Sequence, residues 1–203
     1  MKRSILIIGL LYFVGSAYSQ WKPAGDKIKT QWAETIDPLN VLPEYPRPIL
    51  ERKDWQNLNG LWDYVVLPAG LHSINTVPDI FAGKILVPFA IQSALSGVQE
   101  AVGKEDELWY KRNFRLPSTW KNKNIILHFG AVDWKTEVYI NDVKIGSHTG
   151  GYTPFCFDIT PFLKSGEQKL VVKVWDGTDS GFQPRGKQVS KPQSIWYTPV
   201  TGI

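Results

Sequence analysis

Leu108-Trp109-Tyr110-Lys111-Arg112-Asn113-Phe114-Arg115-Leu116 decides the fold class. Trp109, Lys111, Asn113 and Arg115 fall on one side, and Tyr110, Arg112 and Phe114 on the other. A period of two is the signature of a strand, because successive side chains leave opposite faces of a sheet. Working outward, similar short runs recur at Gly60–Leu67 (GLWDYVVL), Lys84–Val87, Asn124–Phe129 (NIILHF) and Lys169–Trp175 (KLVVKVW). Pro88 stops the second of these. Thr136–Ile140 runs into Asn141-Asp142 and returns as Val143–Gly146. Asn and Asp tolerate the positive φ of a tight hairpin, so that stretch predicts one. No segment carries a sustained i, i+3, i+4, i+7 apolar stripe. Short strands with turns at regular spacing predict an all-β fold, a jelly-roll β-sandwich.

Composition narrows the rest. Of 203 residues, 43% are hydrophobic and 13% aromatic, which excludes a disordered chain. One cysteine excludes an internal disulfide framework. The length is too short for a (β/α)₈ barrel plus a second module. Lys2 and Arg3, the apolar run Ile5–Val14 and the small-residue pattern Ala17-x-Ser19 outline a secretory signal peptide. That run is half the length of a membrane span, so no span is expected in the mature chain. Export implies a periplasmic or extracellular protein. Without Lys2 and Arg3 the net charge falls from +4 to +2, which gives no reason to invoke nucleic acid. The organisation expected is therefore a signal peptide over 1–19, an extended Pro- and Trp-rich arm over 20–48, and a sandwich over 49–203. Trp62, Tyr64, Trp109, Phe114, Phe129, Trp134, Tyr139, Phe155, Phe157 and Trp175 are the candidate core rings. Cys156, between Phe155 and Phe157, is read as an inert core thiol.

A self-contained active site does not emerge. The acids do not single out the carboxylate pair that glycoside hydrolysis uses. Glu105-Asp106-Glu107 reads as a solvated turn. G-x-S-x-G, H-E-x-x-H and C-x-x-C are absent from the sequence, so no catalytic residue, metal or cofactor is expected. His72, His128 and His148 are isolated, and His128 reads as a strand residue with its polar needs met.

Several segments, taken in order, resemble the N-terminal sugar-binding domain of glycoside hydrolase family 2, the family of β-galactosidases, β-glucuronidases and β-mannosidases. Leu58-Asn59-Gly60-Leu61-Trp62 is similar to its opening strand. Val87-Pro88-Phe89-Ala90-Ile91-Gln92-Ser93 is similar to its "VP…QS" segment. Trp109–Phe114, Phe129–Trp134 and Val138–Asp142 resemble three further strands, with Asp142 where the family usually has Gly. Gly146–Asp158 (GSHTGGYTPFCFD), Asp158-Ile159-Thr160 and the terminal Ile195–Ile203 complete the series.

The resemblance implies a galactose-binding-domain-like sandwich within a retaining β-glycosidase. It implies that the chain continues past Ile203 into an immunoglobulin-like domain and a barrel carrying both catalytic glutamates. This chain's own glutamates are then not catalytic. The carbohydrate and those two domains are the implied partners. The resemblance also implies that an acid just after the strand Lys169–Trp175 touches sugar hydroxyls. Asp176 is the first candidate, Asp179 the second, and Arg185 and Lys187 of the following loop are candidate contacts. Asp176→Ala is expected to lower turnover and to leave the domain's thermal stability intact. Ala90, where some members have an Asn that contacts sugar, departs from the β-galactosidase pattern. A free-standing carbohydrate-binding module and an adhesion-type sandwich are the alternative readings.

Overall fold

The computed structural model describes residues 21–26, 28–71 and 76–203. The signal-peptide segment and His72 lie outside the described residues. Eight strands form: β1 (Gly60–Pro68), β2 (Gly83–Val87), β3 (Asp106–Arg115), β4 (Ile126–Phe129), β5 (Lys135–Ile140), β6 (Val143–Thr149), β7 (Phe155–Asp158) and β8 (Glu167–Trp175). Short 3₁₀ turns are the only helical structure among the described residues. One sheet has six strands in the order β2-β1-β3-β8-β5-β6, and β4 and β7 form a second sheet. Every pairing is antiparallel. The chain is an all-β sandwich.

Alternation along β3 sorts its side chains between two faces. Leu108, Tyr110 and Phe114 enter the core between the sheets, together with Trp62, Ile85, Val138, Leu170, Val172 and Val174. Leu127, Phe129, Phe155 and Phe157 meet them from the small sheet. Trp62 and Tyr110 pack edge to face with centroids 6.3 Å apart. On the far face of the large sheet, Val65, Trp109, Tyr139 and Val171 form a smaller apolar cluster. Around it stand charges in cross-strand register. Lys84 and Lys111 both pair with Asp63, and Lys173 lies 2.9 Å from Glu107 and 3.8 Å from Glu137. The hairpin forms as expected, with φ of 50° at Asn141 and 71° at Asp142. Both central residues of its turn take the left-handed conformation that the strand twist favours.

The strand register corrects the expectations for Cys156 and Glu107, and two of the expected core rings are only half-buried. Cys156 is exposed, because the flanking Phe155 and Phe157 turn inward and a residue between them must turn outward. His128 sits across from Cys156 on β4 and is exposed as well; desolvation and then Arg47 and Arg52 push its pKa down. Glu107 is not in a solvated turn. It is a buried member of β3, held by Lys173. Trp134 and Trp175 are half-buried rather than core rings. The segment before β1 lies against the sandwich, with Ala33 and Val41 buried and Ala24 N–H donating to Ala94 O at 2.8 Å.

Candidate functional site

Strand β8 ends at Trp175, whose indole N–H donates to Lys104 O at 2.8 Å. The next residue, Asp176, is only 2% exposed. A buried carboxylate needs donors, since an unsatisfied one carries its full desolvation cost. Asp176 has them. Its Oδ1 accepts from Thr178 N–H at 2.7 Å and from Gln183 Nε2 at 2.6 Å. Its Oδ2 accepts from Thr201 Oγ1 at 2.8 Å and from Thr178 Oγ1 at 3.4 Å.

This network extends beyond the turn. Thr201 Oγ1 also accepts from Gln92 Nε2 at 2.9 Å, and Gln92 Oε1 accepts from Thr201 N–H at 3.0 Å. The "VP…QS" segment, the end of β8 and the terminal Thr201-Gly202-Ile203 are thereby tied together. Gly202 exchanges backbone hydrogen bonds with Asp133 at 3.0 and 2.9 Å. Its φ is +110°, and a Cβ there would lie 1.9 Å from the Tyr110 hydroxyl. Only glycine meets both conditions.

Asp133 is the residue that sequence reasoning missed. It lies in Phe129–Trp134, and the Asp within that motif was the available signal. Its side chain is buried, and its Oδ1 has no hydrogen-bond partner among the described residues. Burial, reinforced by the Asp176 charge, raises its pKa from 3.8 to about 6, against a lowering by a hydrogen bond from Gln188. Gly151 leaves room for this carboxylate, since a Cβ there would lie 2.4 Å from Asp133 Oδ1. Gln188 Nε2 also reaches the Tyr152 hydroxyl at 3.4 Å. Four of the quoted motifs therefore converge on two neighbouring carboxyl groups at one end of the sandwich.

The other candidates form a second, outer group. Asp179 accepts from the backbone N–H of Ser190 at 3.2 Å and from its hydroxyl, bonds that hold the carboxyl below its usual range. Arg185 lies 3.6 Å from Asp179 and its guanidinium sits 5.4 Å from the centre of the Trp196 ring. Lys187 is exposed and contributes its carbonyl to Tyr197 N–H at 3.1 Å. The structure thus brings Asp179 and Arg185 together and leaves Asp176 in a separate, deeper network. Tyr152, Phe182, Ile195 and Tyr197 form an exposed apolar fringe on the loops around both groups. The burial of Asp176 also revises the expectation for its removal. Losing a carboxylate that satisfies three partners costs stability as well as any contact with substrate.

The family model for "Glycosyl hydrolases family 2, sugar binding domain" matches residues 83–188. The chain belongs to this family. Relatives of the family 2 domain are large enzymes. A putative beta-glucuronidase of Formosa agariphila is 31% identical over 145 residues, covering 70% of this chain and 17% of the relative. A beta-galactosidase of Thermoanaerobacter pseudethanolicus is 37% identical over 83 residues, covering 40% of this chain and 11% of the relative. The crystal structure of Ruminococcus gnavus beta-glucuronidase aligns over 60% of this chain and 21% of its own, at 30% identity and a TM-score of 0.49. The chain spans less than a quarter of the length of each.

Proposed function

We propose that this family 2 domain is the N-terminal sugar-binding part of an exported retaining β-glycosidase that hydrolyses O-glycosyl bonds. The catalytic carboxylates belong to a barrel elsewhere in the longer protein, and the Asp176 end of the sandwich forms the rim of its sugar pocket. The charged start, apolar run and Ala17-x-Ser19 support export. One observation carries the reading of the site: the family's motif segments meet at the Asp133 and Asp176 carboxyl groups.

The chemistry suits polyol recognition. Gln183 donates to Asp176 Oδ1 from a half-buried position on the loop after β8. Swinging that amide aside leaves an acceptor for a sugar hydroxyl without stranding the carboxylate. Asp133 Oδ1 is a second acceptor beside it. Two acceptors side by side match two adjacent hydroxyls. The exposed fringe of Tyr152, Phe182 and Tyr197 is then the surface that the neighbouring domains and the substrate cover.

In the longer protein, Asp176→Asn keeps the shape of the side chain and weakens the acceptor. It is expected to lower kcat/KM by roughly 10- to 100-fold, the range for loss of a hydrogen bond to a charged group. The melting temperature of the variant separates loss of contact from loss of fold. An unchanged kcat/KM in a normally folded variant removes Asp176 from the sugar site.

A further inference from the structure

The sandwich has a second end. Strand β8 starts at Glu167 and finishes at Trp175, so its two ends are about 27 Å apart at the usual rise per residue. At the Glu167 end, β3 has just finished at Arg115 and β4 is about to begin. The connection between them and the segment after β7 line a shallow, open cleft of about 560 Å³. That volume lies within the range of small-molecule sites.

Its lining is selective. Leu116, Ile125 and Leu163 contribute apolar surface, and Trp120, Lys121 and Lys164 stand around it. Lys123 lines it too, whereas none of the lining residues is an Asp or a Glu. Lys123 is already engaged, because its ammonium pairs with Asp54. Lys121 and Lys164 form no ion pair among the described residues.

The ring of Trp120 is held in place. Trp120 ends a 3₁₀ turn, Ser118–Trp120. Backbone N–H groups of Trp120, Lys121 and Lys123 donate to Pro117, Ser118 and Trp120 carbonyls at 3.0, 3.3 and 3.0 Å. Asp54, the carboxylate that holds Lys123, lies near the indole; Lys123 first and Trp120 last among its neighbours lower its pKa. Asp54 comes from the segment before β1, 69 residues from Lys123, so this clamp crosses the fold. The amides of Asn122 and Asn124 lie in the same lining.

A flat ring face takes the C–H face of a pyranose, amides take its hydroxyls, and uncompensated ammonium groups take an anion. A bare inorganic anion has no use for the ring, and a neutral sugar has none for the lysines. We propose that this cleft binds an acidic saccharide, one bearing a carboxylate or a sulfate ester. The site is separate from the rim around Asp176 and does not depend on the function proposed for that rim.

The test is calorimetric titration of the full chain with digalacturonate, neocarrabiose 4-sulfate, lactose and inorganic sulfate. At least one acidic disaccharide is expected to bind roughly tenfold more tightly than lactose, the size of one charge-assisted contact. Which of the two binds identifies the acid. Trp120→Ala, and separately Lys121→Ala with Lys164→Ala, should each remove most of that affinity. The two lysines are exposed, so the double variant keeps its fold even if Trp120→Ala does not. The proposal is overturned if neither acid outbinds lactose, if inorganic sulfate binds as tightly as the disaccharides, or if the double lysine variant binds normally.

Discussion

The clearest test of the electrostatics at the Asp133–Asp176 end is Asp133→Asn, read as a change in pH dependence. The Asp133 carboxyl is 9% exposed and its pKa is raised from 3.8 to about 6 in the folded chain, by burial first and by Asp176 second. A raised acid binds its proton more tightly folded than unfolded. Its favourable contribution is therefore complete below pH 3.8 and is lost as pH rises through about 6. In free energy the shift corresponds to about 3 kcal/mol. Solvent at a partly open rim screens the interaction, leaving about 1–2 kcal/mol. Asparagine has nearly the same shape, still accepts from Gln188, and carries no charge. Urea unfolding of the wild type and of Asp133→Asn, each at pH 4.0 and 7.5, isolates the effect, because all other titrating groups are common to both. The variant should be more stable at pH 7.5, with a midpoint higher by about 0.5–1 M for an ordinary urea slope. Near pH 4 the two should unfold together. A variant that is less stable at pH 7.5, or a difference that does not change with pH, would refute the idea that Asp133 bears an unfavourable buried charge.

Two further substitutions probe the scaffold. Gly202→Ala should cost more than about 2 kcal/mol, since it combines a strained φ with a collision against the Tyr110 hydroxyl; a melting temperature within a degree or two of the wild type contradicts the assigned packing. Lys173→Ala should cost about 2–4 kcal/mol by leaving the Glu107 carboxylate buried without its partner. Adding Glu107→Gln to that variant should restore part of the loss, and thermal melts of the single and double variants decide it.

Strand identity was legible wherever alternation was long. β3 and β8 came directly from their runs of period two, and the β5–β6 hairpin came from Asn141-Asp142. β7 is only four residues, Phe155–Asp158, too short to announce itself between a glycine-rich turn and a 3₁₀ turn. Cys156 was misplaced because two flanking phenylalanines suggest an apolar setting, whereas one residue of pleat reverses the face. Glu107 was misplaced because three adjacent acids suggest solvent, and only the cross-strand register reveals Lys173 waiting for it. Asp176 was singled out by the family resemblance, as the acid following β8, and the structure shows it buried there. Its dependence on Thr201 and Gln92 was not legible, because these lie 25 and 84 residues away and only the folded sheets bring them together. Asp133 was hidden for the same reason: a perturbed acid is a property of its surroundings, and its neighbours come from the other end of the chain.

The placement of β8 bears on how the chain is made. It is the eighth strand to be synthesised, yet it lies between β3 and β5 in the large sheet. Until Trp175 leaves the ribosome, β2-β1-β3 and β5-β6 are separate ribbons, each with an unpaired edge facing where β8 will insert. Open edges of this kind pair with other chains. A nascent chain is thus at its most adhesive while β1 to β7 have emerged and β8 has not, and a stop before Glu167 should yield aggregate rather than a soluble sandwich.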